Sequence, residues 1–403
     1  MKILHTADWH LGKRLDSFYR LEEQKLVLKE ICEIADTHAV DAVIVAGDLF
    51  DTFNPPVEAI ELLYKTLKQL TNNGKRPVIA IAGNHDSPTR IDSPDPLARE
   101  CGIQFMGLPN TQVQKLQLEN GFEITNTDEG FLEFKLPNYD YHLRIIATPY
   151  ANEVRMKEYF GEEKDVALQS SLKSSWAKIA ETYCDESGVN MLVTHLYMLK
   201  RGGKLLEEPD GEKPLRIGNA DLVYSDSIPP QIQYTALGHL HRYQNVGTDE
   251  QPVVYSGSPL AYSFAEAGQQ KYVNIIKAEP NKKVEQERIP LKEGKQLVCK
   301  KFDSIDKAVE WLTENQNTLV ELTIESDDFL KSDDLKRLRN AHNEIVHIIP
   351  IVANDNMLDS NTKQVNLNQD ITALFTDYFK SEKGQNPNKE ILDLFKEVIN
   401  QRS

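Results

Sequence analysis

Asp8, His10, Asp48, Asn84, His195, His239 and His241 are carboxylate, imidazole and amide groups, each set just beyond or at the end of a short apolar run. They sit in DWH, GD, GNH, TH and HLH. Taken singly, such motifs occur by chance. As a set they supply seven O and N donors and no thiolate, which suits Mn²⁺, Fe²⁺ or Zn²⁺ rather than a structural cysteine site. One ion takes about four to six ligands, water included. Seven side chains therefore suit two ions, roughly 3.5–4 Å apart and sharing a bridging carboxylate. Asp48 is the bridging candidate, because it is the carboxylate of its motif that directly follows a strand and a glycine. Gly47 and Gly83 let the backbone turn tightly beneath the ions. His239 and His241 have two readings. In an extended segment they point the same way and touch the two ions separately, and in a surface loop they are solvated; the company of the other motifs favours ligands.

Five segments must position these groups: KILHTADWH (2–10), DAVIVAGDLFD (41–51), RPVIAIAGNHD (76–86), GVNMLVTHLY (188–197) and QYTALGHLH (233–241). Their apolar parts have strand length and do not alternate, as expected of strands covered on both faces. LEEQKLVLKEICEIADTH and PVEAIELLYKTLKQLTNNGK, between the first three, have helical spacing, the second with Pro near its start and Gly at its end. This βαβ order carries functional groups to the carboxyl ends of strands. If the strands are neighbours, all seven ligands gather on one sheet edge.

GFEITN, GFLEFKLP and YHLRIIATPY, within 102–150, predict a second sheet packed on the first. Residues 202–215 are polar and rich in Gly and Pro, and predict a mobile loop near the site. A charge-rich exit follows residue 278, and residues 298–353 carry an α+β pattern. A polar linker, 354–369, precedes two amphipathic helices in 370–403. The expected division is thus 1–278, 279–353, the linker, and 370–403.

The 403 residues suffice for two or three domains with a sizeable core. No apolar run is long enough to span a membrane. MKILHTADWH lacks the zones of a signal peptide, so a cytoplasmic protein is expected. Cys32, Cys101, Cys184 and Cys299 form no CxxC and are expected to fill core space. A formal charge of −16 argues against general affinity for nucleic acid, an objection that metal cations at the site would weaken.

DWH, GDLFD, GNHD, THL and GHLH, in that order, resemble the calcineurin-like metallophosphoesterase superfamily. HTADWHLGKRL, GDLFDTFNPP, GNHDSP and YSGSPLAYSF resemble its DNA-nuclease branch, over residues 1 to about 275. The resemblance implies an α/β fold, a metallophosphoesterase sandwich of two mixed β-sheets flanked by helices, with a small α+β capping domain and C-terminal helices. It implies that Asp8, His10, Asp48 and His241 hold one ion, and Asp48, Asn84, His195 and His239 the other, two Mn²⁺ or another divalent ion such as Mg²⁺. His85 then faces the substrate as the catalytic residue, and Asp51 either orients it or serves as a turn or helix-capping residue. Asp86 is expected to stabilise the turn, and His5 to lie behind the ligands.

The implied activity is a metal-dependent DNA nuclease, an exonuclease on duplex ends and an endonuclease on hairpins or blocked ends. The implied partners are DNA, a coiled-coil ATPase docked by the terminal helices, and a second copy of the chain. Lys13, Arg14 and Arg20, and Arg201 with Lys204, either touch phosphates or are solvated surface charge. A small-molecule or cyclic-nucleotide phosphodiesterase shares the chemistry but needs only the first 280 or so residues. A non-catalytic binding module on the same fold would lack ligands, and this chain keeps all seven.

Overall fold

The computed structural model describes residues 1–119, 121–161, 164–203, 222–326 and 330–352, and, nearer the C-terminus, 375–376, 379, 387, 391–392 and 395. The chain divides into two compact units, one of residues 1–324 with 332–349 and one of 325–331 with 350–403. Lys204, most of the expected loop at 202–215, the linker, and most of 370–403 lie outside the described residues.

Strand-length apolar runs build the first unit. Lys2–Thr6, Ala42–Val45, Val78–Ile81 and Ile103–Met106 form parallel neighbours in a six-stranded sheet. Tyr272–Lys277 pairs antiparallel beside Lys2–Thr6, and Glu285–Pro290 forms the far edge. An eight-stranded sheet contains Glu123–Asp128, Phe131–Lys135, His142–Thr148, Val189–His195, Tyr234–Gly238 and Val253–Tyr255, with two-residue strands at its edges. His142–Thr148, Val189–His195 and Tyr234–Gly238 are parallel neighbours.

The sheets stack face to face, which explains why their central strands are apolar throughout. Ile3, Ile44, Ile79 and Ile81 meet Ile145, Met191, Val193 and Ala236 in the core between the sheets. The alternate residues point outward. Leu4, Val43, Val45 and Val78 pack under Leu28, Ile31, Leu63 and Leu67 of helices Leu21–Thr37 and Val57–Leu70. Ile146, Leu192 and Leu237 pack under Leu168, Leu172 and Trp176 of helix Lys164–Tyr183. With all these side chains at or below 2% exposed, each Val, Leu, Ile and Met among them contributes about 1.5–3 kcal/mol of burial.

Polar ties cross between the sheets near one end. The buried His5 ring bonds the Tyr234 hydroxyl (3.0 Å) and the Leu237 carbonyl (3.2 Å). Burial lowers its pKa to about 3, so the ring is neutral there. The Tyr150 amide donates to the Ala82 carbonyl at 2.9 Å.

Strand Gln296–Phe302, helix Ile305–Glu314, strand Thr318–Ser326, helix Ser332–Ala341 and strand Ile345–Val352 follow in βαβαβ order. Their strands form a separate three-stranded sheet. Leu297, Leu319 and Val346 of that sheet pack with Leu15, Phe18 and Phe264. Farther along the chain, the Phe375 and Phe395 rings stack at 3.8 Å and 10°.

Candidate metal centre

The seven ligand candidates come from two sheets and not from one edge. Strands Lys2–Thr6, Ala42–Val45 and Val78–Ile81 of the first sheet deliver Asp8, His10, Asp48 and Asn84. The second sheet delivers His195 at the end of one strand, and His239 and His241 just past its neighbour. Facing sheets bring the carboxyl ends of both sets to a shared rim. The expectation of one edge is corrected accordingly: ligand-bearing strands need only be parallel within each sheet, since stacking does the rest.

Sharp backbone turns aim these groups inward. Asp8 (φ 55°), His10 (44°), Asp48 (48°) and His239 (104°) all adopt positive φ. Outside glycine such conformations cost about 1–3 kcal/mol each and persist only where the surroundings enforce them. Gly47, also at positive φ, lies so close to His195 that a Cβ would sit 2.3 Å from Nδ1. A Cβ on Gly83 would sit 2.1 Å from Asp48 Oδ1. Both glycines serve close approach as well as the turn.

Three groups of donor atoms result; Asp48 belongs to two of them, and the third is His10, Asp51 and His85. Ligand atoms of Asp8, His10 and Asp48 lie within 4.8 Å of one another, and so do those of Asp48, His195 and His239. His241 joins the first group, its Nε2 being 3.0 Å from His10 Nε2. Asn84 joins the second, its Oδ1 being 3.0 Å from His195 Nε2 and 2.9 Å from His239 Nδ1. Asp48 Oδ2 is 3.5 Å from His10 Nε2 and 3.3 Å from His195 Nε2.

Hydrogen bonds behind the rings fix which nitrogen faces inward. His195 Nδ1 donates to the Ala46 carbonyl at 2.8 Å, so Nε2 of the neutral ring presents a lone pair to Asn84 Oδ1 and Asp48 Oδ2. Acceptor facing acceptor at such range needs a proton or a cation between them. Asp8 makes the same point, since its Oδ2 is buried with no hydrogen-bond partner among the described residues while Oδ1 accepts the His239 amide at 2.8 Å. This donor set fits divalent cations.

The electrostatics agree. Burial raises the Asp8 carboxyl to about 7 despite the pull of His195 and His241. Burial also disfavours the His195 imidazolium, but Asp48 and Asp8 overcome that and hold its pKa at about 9. Burial drives the His10 and His239 rings to about 3, leaving them neutral and able to ligate. Without metal the protein thus accumulates protons where cations belong.

His85 stands at the lip. Its amide donates to Asp48 Oδ1 at 2.9 Å, and its ring lies edge-on to His10 with centroids 4.8 Å apart. Nδ1 donates to the main-chain carbonyl of Asp51 at 2.8 Å, and the ring belongs to a donor group with His10 and Asp51. The Asp51 carboxylate is engaged elsewhere, 2.8 Å from Lys13 Nζ and 3.6 Å from His10 Nδ1. Burial favours its neutral form, but His10 and Lys13 prevail and hold the carboxyl below the usual range.

Several further residues support the site from outside the ligand set. Asp86 accepts three backbone N–H groups, from Leu49 (3.0 Å), Phe50 (2.9 Å) and Gly83 (2.8 Å), clamping the two ligand loops together. Arg155 caps the same loop, donating to the carbonyls of Gly83 (2.8 Å) and Asp86 (2.9 Å). Gln24 donates to the His10 carbonyl at 2.8 Å. Glu266 Oε1 lies 3.5 Å from His241 Nδ1, while Lys271 donates to the His241 carbonyl at 2.8 Å and to Glu266. Only Asp86 was visible as a turn residue.

Of the basic residues after the first motif, Arg20 is buried, paired with Glu23 and bonded to the Ala261 carbonyl. It is neither a phosphate contact nor solvated. Arg201 pairs with Asp226 at 2.7 Å and lies over the Tyr224 ring.

The stacked mixed sheets and the two donor groups on their rim define a phosphoesterase with a divalent-metal centre. The chain belongs to the calcineurin-like phosphoesterase family, whose model matches residues 1–243. Among curated relatives, the SbcD subunit of nuclease SbcCD from Bacillus subtilis is 35% identical over 99% of this chain and 97% of its own length. Proteins of the same name from Staphylococcus epidermidis and Rhodobacter capsulatus are 32% and 30% identical, over 74% and 68% of this chain and 71% and 66% of their own. Among the described residues no helix is long and apolar enough to cross a membrane.

Proposed function

We infer that the protein is a metal-dependent DNA nuclease, the SbcD component of an SbcCD-type complex acting in recombination and repair in the cytoplasm. The observation that carries this is Asp48, common to two donor groups on one rim, in a chain alignable almost end to end with a relative named as such a nuclease.

In this reading Asp8, His10, Asp48 and His241 hold one divalent cation, and Asp48, Asn84, His195 and His239 the other. Mn²⁺ suits the mixed imidazole and oxygen donors better than Mg²⁺, which favours oxygen alone. Bound there, such a pair would supply the charge to neutralise phosphodiester oxygens and would lower the pKa of water to about 7. Asp48 would fix the spacing of the two sites, while the hydrogen bond from His195 to the Ala46 carbonyl and the Glu266 carboxylate beside the His241 ring orient those two imidazoles. His85 presents Nε2 to the leaving oxygen, with Nδ1 locked on the Asp51 carbonyl. The Asp51 carboxylate acts through His10 and Lys13, both within its reach.

The α+β segment 279–353 contacts duplex DNA. The terminal helices in 370–403, where Phe375 stacks on Phe395, dock the SbcC-type coiled-coil ATPase. Two copies of the chain act in one assembly. Substrates are duplex ends, cut as an exonuclease, and hairpins or blocked ends, cut as an endonuclease.

The test incubates the full chain with Mn²⁺ and linear or hairpin DNA, with and without an SbcC-type ATPase from the same organism. Cleavage of DNA is the expected result. Turnover of small cyclic or linear diesters with no DNA cleavage under either condition would replace this reading with a nucleotide phosphodiesterase. Inactivity on both would favour a binding module.

A further inference from the structure

Beside His241 lies a groove of about 250 Å³ that the ligand set does not use. Arg242, Tyr243, Lys271, Tyr272 and Arg288 are among its walls, and among the described residues no carboxylate lines it. Lys271 is neutralised by Glu266, but among the described residues neither Arg242 nor Arg288 is in an ion pair. The Arg288 guanidinium instead rests on two rings, 4.6 Å from the centroid of Tyr243 and 5.2 Å from that of Tyr272.

A guanidinium held on aromatic faces loses little freedom on binding, and its planar N–H edge matches two phosphate oxygens. With Arg288 lying against both rings, the groove offers a phosphate a fixed guanidinium edge. Tyr243 follows His241 by two positions, which keeps their Cα atoms within about 7 Å. A DNA strand rises about 3.4 Å per nucleotide, so a strand cleaved at the centre reaches this groove within about two nucleotides.

We propose that Arg242 and Arg288 form a phosphate-binding subsite that grips the backbone of the cleaved DNA strand beside the scissile bond. The proposal rests on the nuclease reading above and gives an acidic protein a local cationic track for its substrate.

The test compares the full chain with its Arg242→Ala/Arg288→Ala variant in Mn²⁺. Binding of a short labelled duplex is measured across a salt series, and hydrolysis of bis(p-nitrophenyl) phosphate is measured alongside. Two lost phosphate contacts should reduce the slope of log affinity against log salt by about two and slow DNA cleavage, while hydrolysis of the small diester is unchanged. Arg288→Lys, which keeps the charge but not the fork, should recover only part of the affinity. An unchanged salt slope overturns the subsite and leaves the nuclease reading standing. Equal loss on DNA and on the small diester also overturns it, since the arginines would then be holding the centre together. A wild-type chain that hydrolyses the small diester but neither binds nor cuts DNA overturns the nuclease reading and this subsite with it.

Discussion

Glu266 and Lys271 form an ion pair buried beneath His241 and grip it from two sides. The carboxylate faces the ring at Nδ1, and the ammonium holds the main-chain carbonyl. Glu266 also accepts the amides of Tyr262 (3.0 Å) and Ser263 (3.1 Å). Burial disfavours its charge, but Lys271 and His241 hold its pKa down at about 2. Removing the lysine alone strands a buried carboxylate, which costs about 3–5 kcal/mol. Lys271→Met should therefore lose that much unfolding free energy in urea and weaken Mn²⁺ binding by calorimetry. Glu266→Gln/Lys271→Met should recover most of the stability but not the metal affinity. Wild-type stability in the single variant would show that the pair is not buried in solution.

Gly83 gives a second, purely steric prediction. An added Cβ would meet Asp48 Oδ1 at 2.1 Å and the Asp48 amide nitrogen at 2.3 Å, far inside ordinary contact. The side chain can swing away, but the backbone cannot. Because Asp48 belongs to both donor groups, Gly83→Ala should lower the Mn²⁺ content of both sites together. Far-UV circular dichroism should stay near that of the parent. Retention of two ions per chain would mean that Asp48 does not bridge them.

Much of this arrangement was legible in the sequence because the central strands are covered on both faces. Unbroken apolar runs such as AVIV and VIAI have no other economical explanation, and each stops abruptly at a polar group. What the runs do not encode is which strands are neighbours. Sequence alone therefore put His195 and His239 on one edge with Asp8, although they approach from the opposite sheet. Isolated buried charges were equally hidden. Arg155 and Lys271 belong to no periodic pattern, and their burial depends on carbonyls supplied by distant loops. Arg20 was the recoverable case, because Glu23 stands three residues on, one helical turn away.

His347 provides a pH-dependent prediction away from the metal ligands. Its ring bonds Asp16 on one side and Glu321 at 3.0 Å on the other, with Phe264 packed against it. Partial burial lowers its pKa, but the two carboxylates prevail and raise it above 6.5. A raised histidine contributes stability that is fully present below pH 6.5 and is lost as pH climbs through the folded value. The thermal midpoint of the metal-free parent should thus exceed that of His347→Gln at pH 6, and the gap should close on the alkaline side. With the side chain 40% exposed, solvent screening keeps the effect small. A gap that widens with pH would refute the assignment.

His85 and Asp48 separate catalysis from metal binding. The bond from His85 to Asp48 uses the main-chain amide, so His85→Ala keeps it and leaves the bridging carboxylate oriented. What disappears is the imidazole, whose Nδ1 is anchored on the Asp51 carbonyl. Loss of a positioned acid or base slows a reaction by about 10²–10⁴-fold. DNA cleavage by His85→Ala should fall by that factor with Mn²⁺ stoichiometry near normal, measured by plasma emission spectrometry on the same sample. Asp48→Ala removes the donor common to both groups, so cleavage and metal should vanish together. Parent-like cleavage by His85→Ala would move the proton-handling role to another residue, and full metal content in Asp48→Ala would dissolve the shared bridge.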